Sequence, residues 1–254
     1  KAKGTPDDRA LLATVDVTGG GRGAGGAAAV RTPRPAAQNV VYRVGHASAA
    51  PNLDGKLDDA MWSSIRPTDA FKQPDGQALN AAYNTSARLA WDDQNLYVSY
   101  ETRDDEISNS FSDNDATLWE GDVVELFVKP LAADDKYYEF QFAPNKARFD
   151  ARFTGHRKPT WQEAAKFDSG VKHAVALDGN VNAEGADKGW TVEAAIPWSA
   201  FGLDKAPAAG TRWQANMYRI DSKGTHNMAF MGAWVPVGGD FHNVSGAGTL
   251  EFVQ

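Results

Sequence analysis

The chain contains no cysteine. Disulfides, thiolate metal sites and a cysteine nucleophile are therefore excluded, although zero cysteine does not fix the compartment. No apolar run approaches the roughly 18–20 residues of a membrane span. The five histidines, His46, His156, His173, His226 and His242, include no pair at His-Glu-x-x-His zinc spacing. A Gly-x-Ser-x-Gly elbow is also missing. The glycines at 19–26 have no following Lys-Ser/Thr and no strand–helix unit, so they form no phosphate loop. Basic residues are in deficit: 26 Lys and Arg against 33 Asp and Glu give a net charge of −7 and a pI near 5.2. This argues against a phosphate-backbone partner, which needs clustered cations, and against an anionic membrane surface. An acidic, aromatic-bearing surface is compatible with neutral ligands as well as with simple solubility.

What is present is enough for one large β domain: 254 residues, 42% hydrophobic. Residues 1–44 read as a linker or arm. From Gly19 to Ala29 the segment is Gly and Ala apart from Arg22, and Pro33 and Pro35 follow. Such composition buries little surface against its backbone entropy. Leu11, Leu12, Val15 and Val17 form a short apolar patch before it, either one strand or the tail of a preceding domain. The chain starts at Lys1 without a leader and reads as a mature or excised piece of a longer precursor.

Residues 45–254 read as one globular domain. Asn52-Leu53-Asp54-Gly55 is a turn in which Gly55 supplies positive φ. Asp58 then caps a short helix with Met61, Trp62 and Ile65 inward. Strands are expected at 87–91, 96–100, 123–128, 137–142, 148–153, 171–177, 190–196, 212–219, 228–234 and 249–253, with the first two joined as a hairpin across Asp92–Asn95. Many short strands with Gly, Asp, Asn and Pro between them predict an all-β fold, an antiparallel β-sandwich with one short helix near the start of the domain.

Two motifs stand out. Leu118-Trp119-Glu120-Gly121-Asp122 leads into the apolar strand Val123–Val128, and Gly189-Trp190-Thr191-Val192-Glu193 leads to Pro197-Trp198. Around them come, in order, Leu53-Asp54-Gly55 with Trp62, Trp91-Asp92-Asp93, Tyr137-Tyr138-Glu139-Phe140, and Trp213 with Asn216, Tyr218 and Arg219. Trp234 with Pro236 and Phe241-His242 complete the set. This ordered series, from Leu53 to the C-terminus, resembles the family 9 carbohydrate-binding modules of bacterial polysaccharide-degrading systems. The resemblance implies a non-catalytic β-sandwich that holds polysaccharide or sugar chain ends. It also implies a catalytic domain elsewhere in the parent chain and a secreted, periplasmic or cell-surface location. By motif position it implies a clamp of two tryptophans, Trp119 and Trp234, with Glu125 bonding sugar hydroxyls. The family's sugar-contacting arginine aligns with Gln141, and Val244 and Ala247 stand where a proline and a phenylalanine are usual.

The physics of such a site is simple. A pyranose shows C–H bonds on its faces and hydroxyls on its rim, so aromatic rings meet the faces while carboxylates and amides meet the rim. Glu125 shares a sheet face with Val123 and Phe127, so it points to a cleft or to solvent. Trp62, Trp91, Trp190, Trp198 and Trp213 sit among apolar neighbours and are assigned to the core, whereas Trp161 lies in a loop. Asp113 and Asp115 form a dense oxygen cluster that reads as polar turn residues or as ligands for the structural calcium the resemblance implies. Asp104, Asp105 and Glu106 form a second cluster. Catalysis is not expected. A glycosidase needs two carboxylates roughly 5–10 Å apart, and an ideal pleat sends Asp122 and Glu125 to opposite faces. Two other readings compete. One is a structural or adhesive surface-assembly module without sugar binding. The other is a b-type haem module using Met217, Met228 or Met231 with a histidine.

Overall fold

The computed structural model describes residues 39–130, 134–222 and 228–254. The Gly/Ala/Pro segment and the Leu11–Val17 patch lie outside the described residues. Among the described residues there are eleven strands: β1 (Val41–His46), β2 (Thr85–Trp91), β3 (Asn95–Arg103), β4 (Val123–Lys129), β5 (Tyr137–Phe142), β6 (Arg148–Phe153), β7 (Lys172–Asp178), β8 (Gly189–Pro197), β9 (Arg212–Ser222), β10 (Met228–Ala233) and β11 (Gly248–Val253). Two short helices, α1 (Ala60–Ser64) and α2 (Trp161–Ala164), lie between strands. The predicted helix is α1. The second helix falls in the segment read as a loop around Trp161.

The strands form one hydrogen-bonded sheet in the order β6-β5-β4-β9-β11-β1-β2-β3-β8-β7, with β10 pairing on β9. Two departures from the expected sandwich follow. The ladder is continuous, so the molecule is a single curled sheet by pairing. It is also not wholly antiparallel, because β1 runs parallel to both β11 and β2. β1 begins inside the segment assigned to the linker, and Val44 is fully buried.

Side-chain alternation sorts the sheet into layers. Val124, Leu126 and Val128 of β4 join Leu89, Val98, Val192, Met217, Leu250 and Phe252 in the inner layer, shared by the two halves of the curled sheet. Val123 and Phe127, the alternate residues of β4, join Trp119, Tyr137, Phe149, Phe153, Tyr218 and Phe241 in an aromatic layer on the opposite face. A third cluster lies outside the other half, where Trp62 of α1 packs on Ala90, Tyr97 and Ala195.

That third cluster shows how local sequence signals are used. Gly55 adopts the predicted positive φ, +87°, and a Cβ there would meet the Val175–Ala176 backbone at 2.5 Å. The close approach lets the Asp54 and Gly55 amides donate to one oxygen of Glu193 at 3.2 and 2.8 Å, while Trp62 Nε1 donates to the other at 2.6 Å. Burial pushes the Glu193 carboxyl up, against the lowering effect of these donors. All five tryptophans assigned to the core are buried. Each contributes stabilisation of the order expected for a large apolar side chain, about 1.5–3 kcal/mol. The predicted hairpin is in place, with Asp92 Oδ1 accepting from the Gln94 and Asn95 amides at 2.7 and 2.8 Å.

Candidate functional site

The aromatic layer on β4, β5, β6 and β9 contains a run of buried polar groups. Glu125 pairs in register with Gln141 on one side and Tyr218 on the other. Glu125, Glu139, Gln141 and His242 are each 3% exposed or less. A small cavity of about 30 Å³ opens among Trp119, Glu125, Phe127, Arg157, Phe241 and His242. That is room for one or two waters, which need upwards of about 10–15 Å³ each. A larger 640 Å³ depression lies on the other half of the sheet between Glu101, Arg103, Leu177 and Lys188, but it is broad and open.

Trp119 stands at the entrance to β4 because a 3₁₀ turn, Leu118–Glu120, folds it over the layer. Its ring meets Phe149 and Trp161 edge-on, with centroids at 5.5 and 5.2 Å. On the opposite flank the loop after β10 brings Phe241 flat onto Tyr218, centroids 3.8 Å apart and planes 7° apart. Gly238 and Gly239, at φ +72° and +87°, give that loop its turn. Beside it the Tyr137 hydroxyl and His242 Nδ1 lie 2.6 Å apart. Burial, and then the charges of Glu125, Asp240 and Glu139, push the Tyr218 phenol well above its usual range.

The sequence-expected residues are only partly brought together. Trp119 and Glu125 line the same cavity. Gln141 lies beside Glu125 in the ladder, but it is fully enclosed. Its Nε2 donates to Glu139 Oε1, and its Oε1 has no partner. Trp234 is placed elsewhere. It packs edge-on to Tyr42 in the inner layer, across the sheet from Trp119. The strand alternation explains this: Ala233 belongs to the outer layer, so the next residue turns inward. The aromatics that share the cavity with Trp119 are Phe127 and Phe241. Met217 is fully buried in the inner layer, away from the cavity, while Met231 lines it.

The acidic loop behaves as polar turn chemistry. Asn114 Oδ1 accepts from the Arg148 amide and Asp115 Oδ1 from the Asp150 amide, tying the loop to β6. Asp113 and Asp115 are exposed. Among the described residues, the acidic side chains that converge are Asp104, Asp122 and Asp221, all buried, with ligand-capable oxygens within 4.8 Å of one another. Arg219 sits with them. Its Nη2 bonds Asp104 Oδ2 at 2.9 Å and also Asp221, and its Nη1 donates to Thr85 Oγ1 and the Arg103 carbonyl. Asp122 accepts from the amides of Ser108 and Ser222. Burial and the neighbouring Asp104 and Asp221 push the Asp122 carboxyl up to about 9. Asp122 therefore keeps its proton near neutral pH, and Asp104 and Asp221 share the one guanidinium of Arg219, which leaves a single excess negative charge; a divalent cation would balance it and draw off the Asp122 proton. Only Asp104 of the two sequence-noted clusters takes part. Asp122 and Asp221 are singletons in sequence with no metal-ligand spacing to reveal them.

The profile of the family described as carbohydrate family 9 binding domain-like matches residues 53–254. The chain is similar to exoglucanase XynX of Acetivibrio thermocellus, 26% identical over 202 residues, covering 79% of this chain and 16% of that protein. It is likewise similar to endo-1,4-beta-xylanase A of Thermoanaerobacterium saccharolyticum, 27% identical over 202 residues, covering 79% of this chain and 15% of that protein. The chain thus spans only about a sixth of the length of these relatives. Among solved structures it shares its fold with a putative carbohydrate-binding protein from Bacteroides uniformis (TM-score 0.65, 21% identity, 85% of this chain and all of that one). It also shares it with a family 9 carbohydrate-binding module from Caldicellulosiruptor kristjanssonii in complex with cellotriose (TM-score 0.59, 18% identity, 84% and 93% covered).

Proposed function

We propose, for a chain that belongs to the carbohydrate family 9 binding domain-like family, that it is a non-catalytic module holding a neutral sugar at the cleft of Trp119, Glu125 and Phe241. The carrying observation is that the rings of Trp119, Phe127 and Phe241 and a buried carboxylate line one cavity on the outer face of the β4–β5–β9 sheet. The rings would take the C–H faces of a pyranose and Glu125 its hydroxyl rim. The cleft as described holds about 30 Å³, too little for a sugar ring, so binding on this reading moves the loop bearing Phe241 outward. The relatives are described as an exoglucanase and a xylanase, and a structural neighbour holds cellotriose. Their chemistry supports β-linked gluco- or xylo-oligosaccharides as first ligands to test. In a longer chain outside the cell, the module would raise the effective concentration of polysaccharide near a catalytic partner.

Calorimetric titration with cellotriose and xylotriose tests this. Trp119→Leu keeps apolar bulk but removes the ring face, and is expected to weaken binding by about 1–3 kcal/mol, with the melting curve confirming a folded protein. Unchanged affinity in a folded Trp119→Leu protein would exclude the cleft.

We further propose that the calcium implied by the family resemblance belongs at Asp104, Asp122 and Asp221 rather than at Asp113 and Asp115. Carboxylates on hard-oxygen sites suit calcium, and the cluster carries the unbalanced charge. The ion would serve as a structural tie between strand ends. EDTA is expected to lower the melting temperature and calcium to restore it, by mass action on the native state. Asp122→Asn should abolish that response, and Asp113→Asn should leave it intact. A melting curve indifferent to both reagents refutes the site.

A further inference from the structure

Gln141 of β5, the residue that the resemblance aligns with a sugar-contacting position, is enclosed and does not line the cleft. A different arginine does. Arg157 comes from the turn after β6 and lines the cavity alongside Trp119, Glu125 and Phe241. Two features make this placement unusual. Arg157 holds a left-handed backbone, φ +53°, a conformation that side chains other than Gly, Asn and Asp seldom take. The strained backbone is pinned, since the Arg157 amide donates to the Tyr137 hydroxyl at 3.2 Å. The guanidinium is held as well, with Nη2 at 3.0 Å from Asp240 Oδ1, and Asp240 also meets His156 Nε2 at 2.8 Å. The side chain keeps 29% of its surface exposed. A glycine would satisfy this turn without strain, and strain of this kind collects at functional sites.

We infer that Arg157 is the cationic hydrogen-bond donor to the sugar rim in this chain, filling from the turn after β6 a role that Gln141 cannot fill. Glu125 accepts from hydroxyls on one part of the rim, and the Arg157 fork donates to hydroxyl oxygens on another. Asp240 orients the fork. The inference rests on the sugar reading of the Trp119–Glu125 cleft.

Arg157→Gly is the decisive variant, because it relieves the backbone while deleting the donor. Its melting temperature should equal or exceed that of the parent, and its affinity for cellotriose should fall at least tenfold. A panel of monodeoxy glucosides adds a second readout. One deoxy position should weaken binding to the parent protein but cause no additional loss in Arg157→Gly, since the lost hydroxyl and the lost donor are one contact. Retained affinity in Arg157→Gly overturns the inference, as does a loss accompanied by a lowered melting temperature and spread evenly over all deoxy sugars. If Trp119→Leu loses binding while Arg157→Gly keeps it, the sugar reading stands and this inference alone falls. If the parent binds none of the sugars, both fall.

Discussion

Deletion of residues 1–46 is expected to abolish cooperative unfolding, whereas deletion of residues 1–39 should leave the melting temperature within a few degrees of the parent. The difference is β1. It is the hinge of the strand order, paired along five register positions with β11 and at two with β2. Its removal divides the sheet into a β6–β11 half and a β2–β7 half. Tyr42 and Val44 leave the inner layer, forfeiting about 1.5–3 kcal/mol each. The Tyr42 hydroxyl also bonds the Arg66 carbonyl at 2.7 Å and receives the Leu89 amide at 3.1 Å, and both partners would lose it. Two newly bared strand edges add a route to aggregation. Against a total stability of about 5–15 kcal/mol for a domain, the sum is disabling. Circular dichroism melts of the two truncated proteins decide the matter. A sharp transition in the shorter protein, close to the parent's, would show that the halves cohere without β1.

Arg219→Met is expected to cost about 3–5 kcal/mol, the usual penalty for removing one partner of a buried ion pair. Arg219 is completely buried, as are Asp104 and Asp221. Met fills similar volume but leaves the Asp104 and Asp221 carboxylates without their guanidinium and orphans the Arg103 carbonyl. Arg219 also lies over the Phe230 ring, 5.1 Å from its centroid, so some packing is lost too. Urea titration at neutral pH measures the loss. The origin of the penalty is separable. If it comes from stranded charge, adding Asp104→Asn and Asp221→Asn to Arg219→Met should recover a large part of it. A single-variant loss below about 1 kcal/mol would mean that the cluster is already neutralised in another way.

Much of this was legible in the sequence because it is local. Ten strands announce themselves through alternation and turn residues, and the Asp92–Asn95 hairpin and Gly55 turn follow from side-chain and backbone chemistry within a few residues. β1 was not, because only Tyr42 and Val44 face inward, next to a Pro- and Arg-bearing stretch. Nor could alternation along separate strands show that β1 joins them into a single sheet. That Trp119 and Glu125 lie close together was legible because their strand carries its own motif. Trp234 was mistaken for their partner because a tryptophan at a strand exit looks the same whichever face it turns to. Phe241 and Arg157 reach the cleft from loops far apart in the chain. The Asp104, Asp122 and Asp221 group likewise assembles single residues from three strand ends, while the eye is drawn to Asp113–Asp115, where oxygens are dense in sequence but exposed in space.

The parallel pairing of β1 with β11 has a mechanical consequence. Val41 lies beside Thr249 and Gly45 beside Val253, so β1 enters and β11 leaves at opposite poles of the domain. Tension drawn through the two ends therefore pulls these neighbours in opposite directions along their common axis. The ladder between them is loaded in shear, with its evenly spaced bonds sharing the force, rather than unzipped one bond at a time.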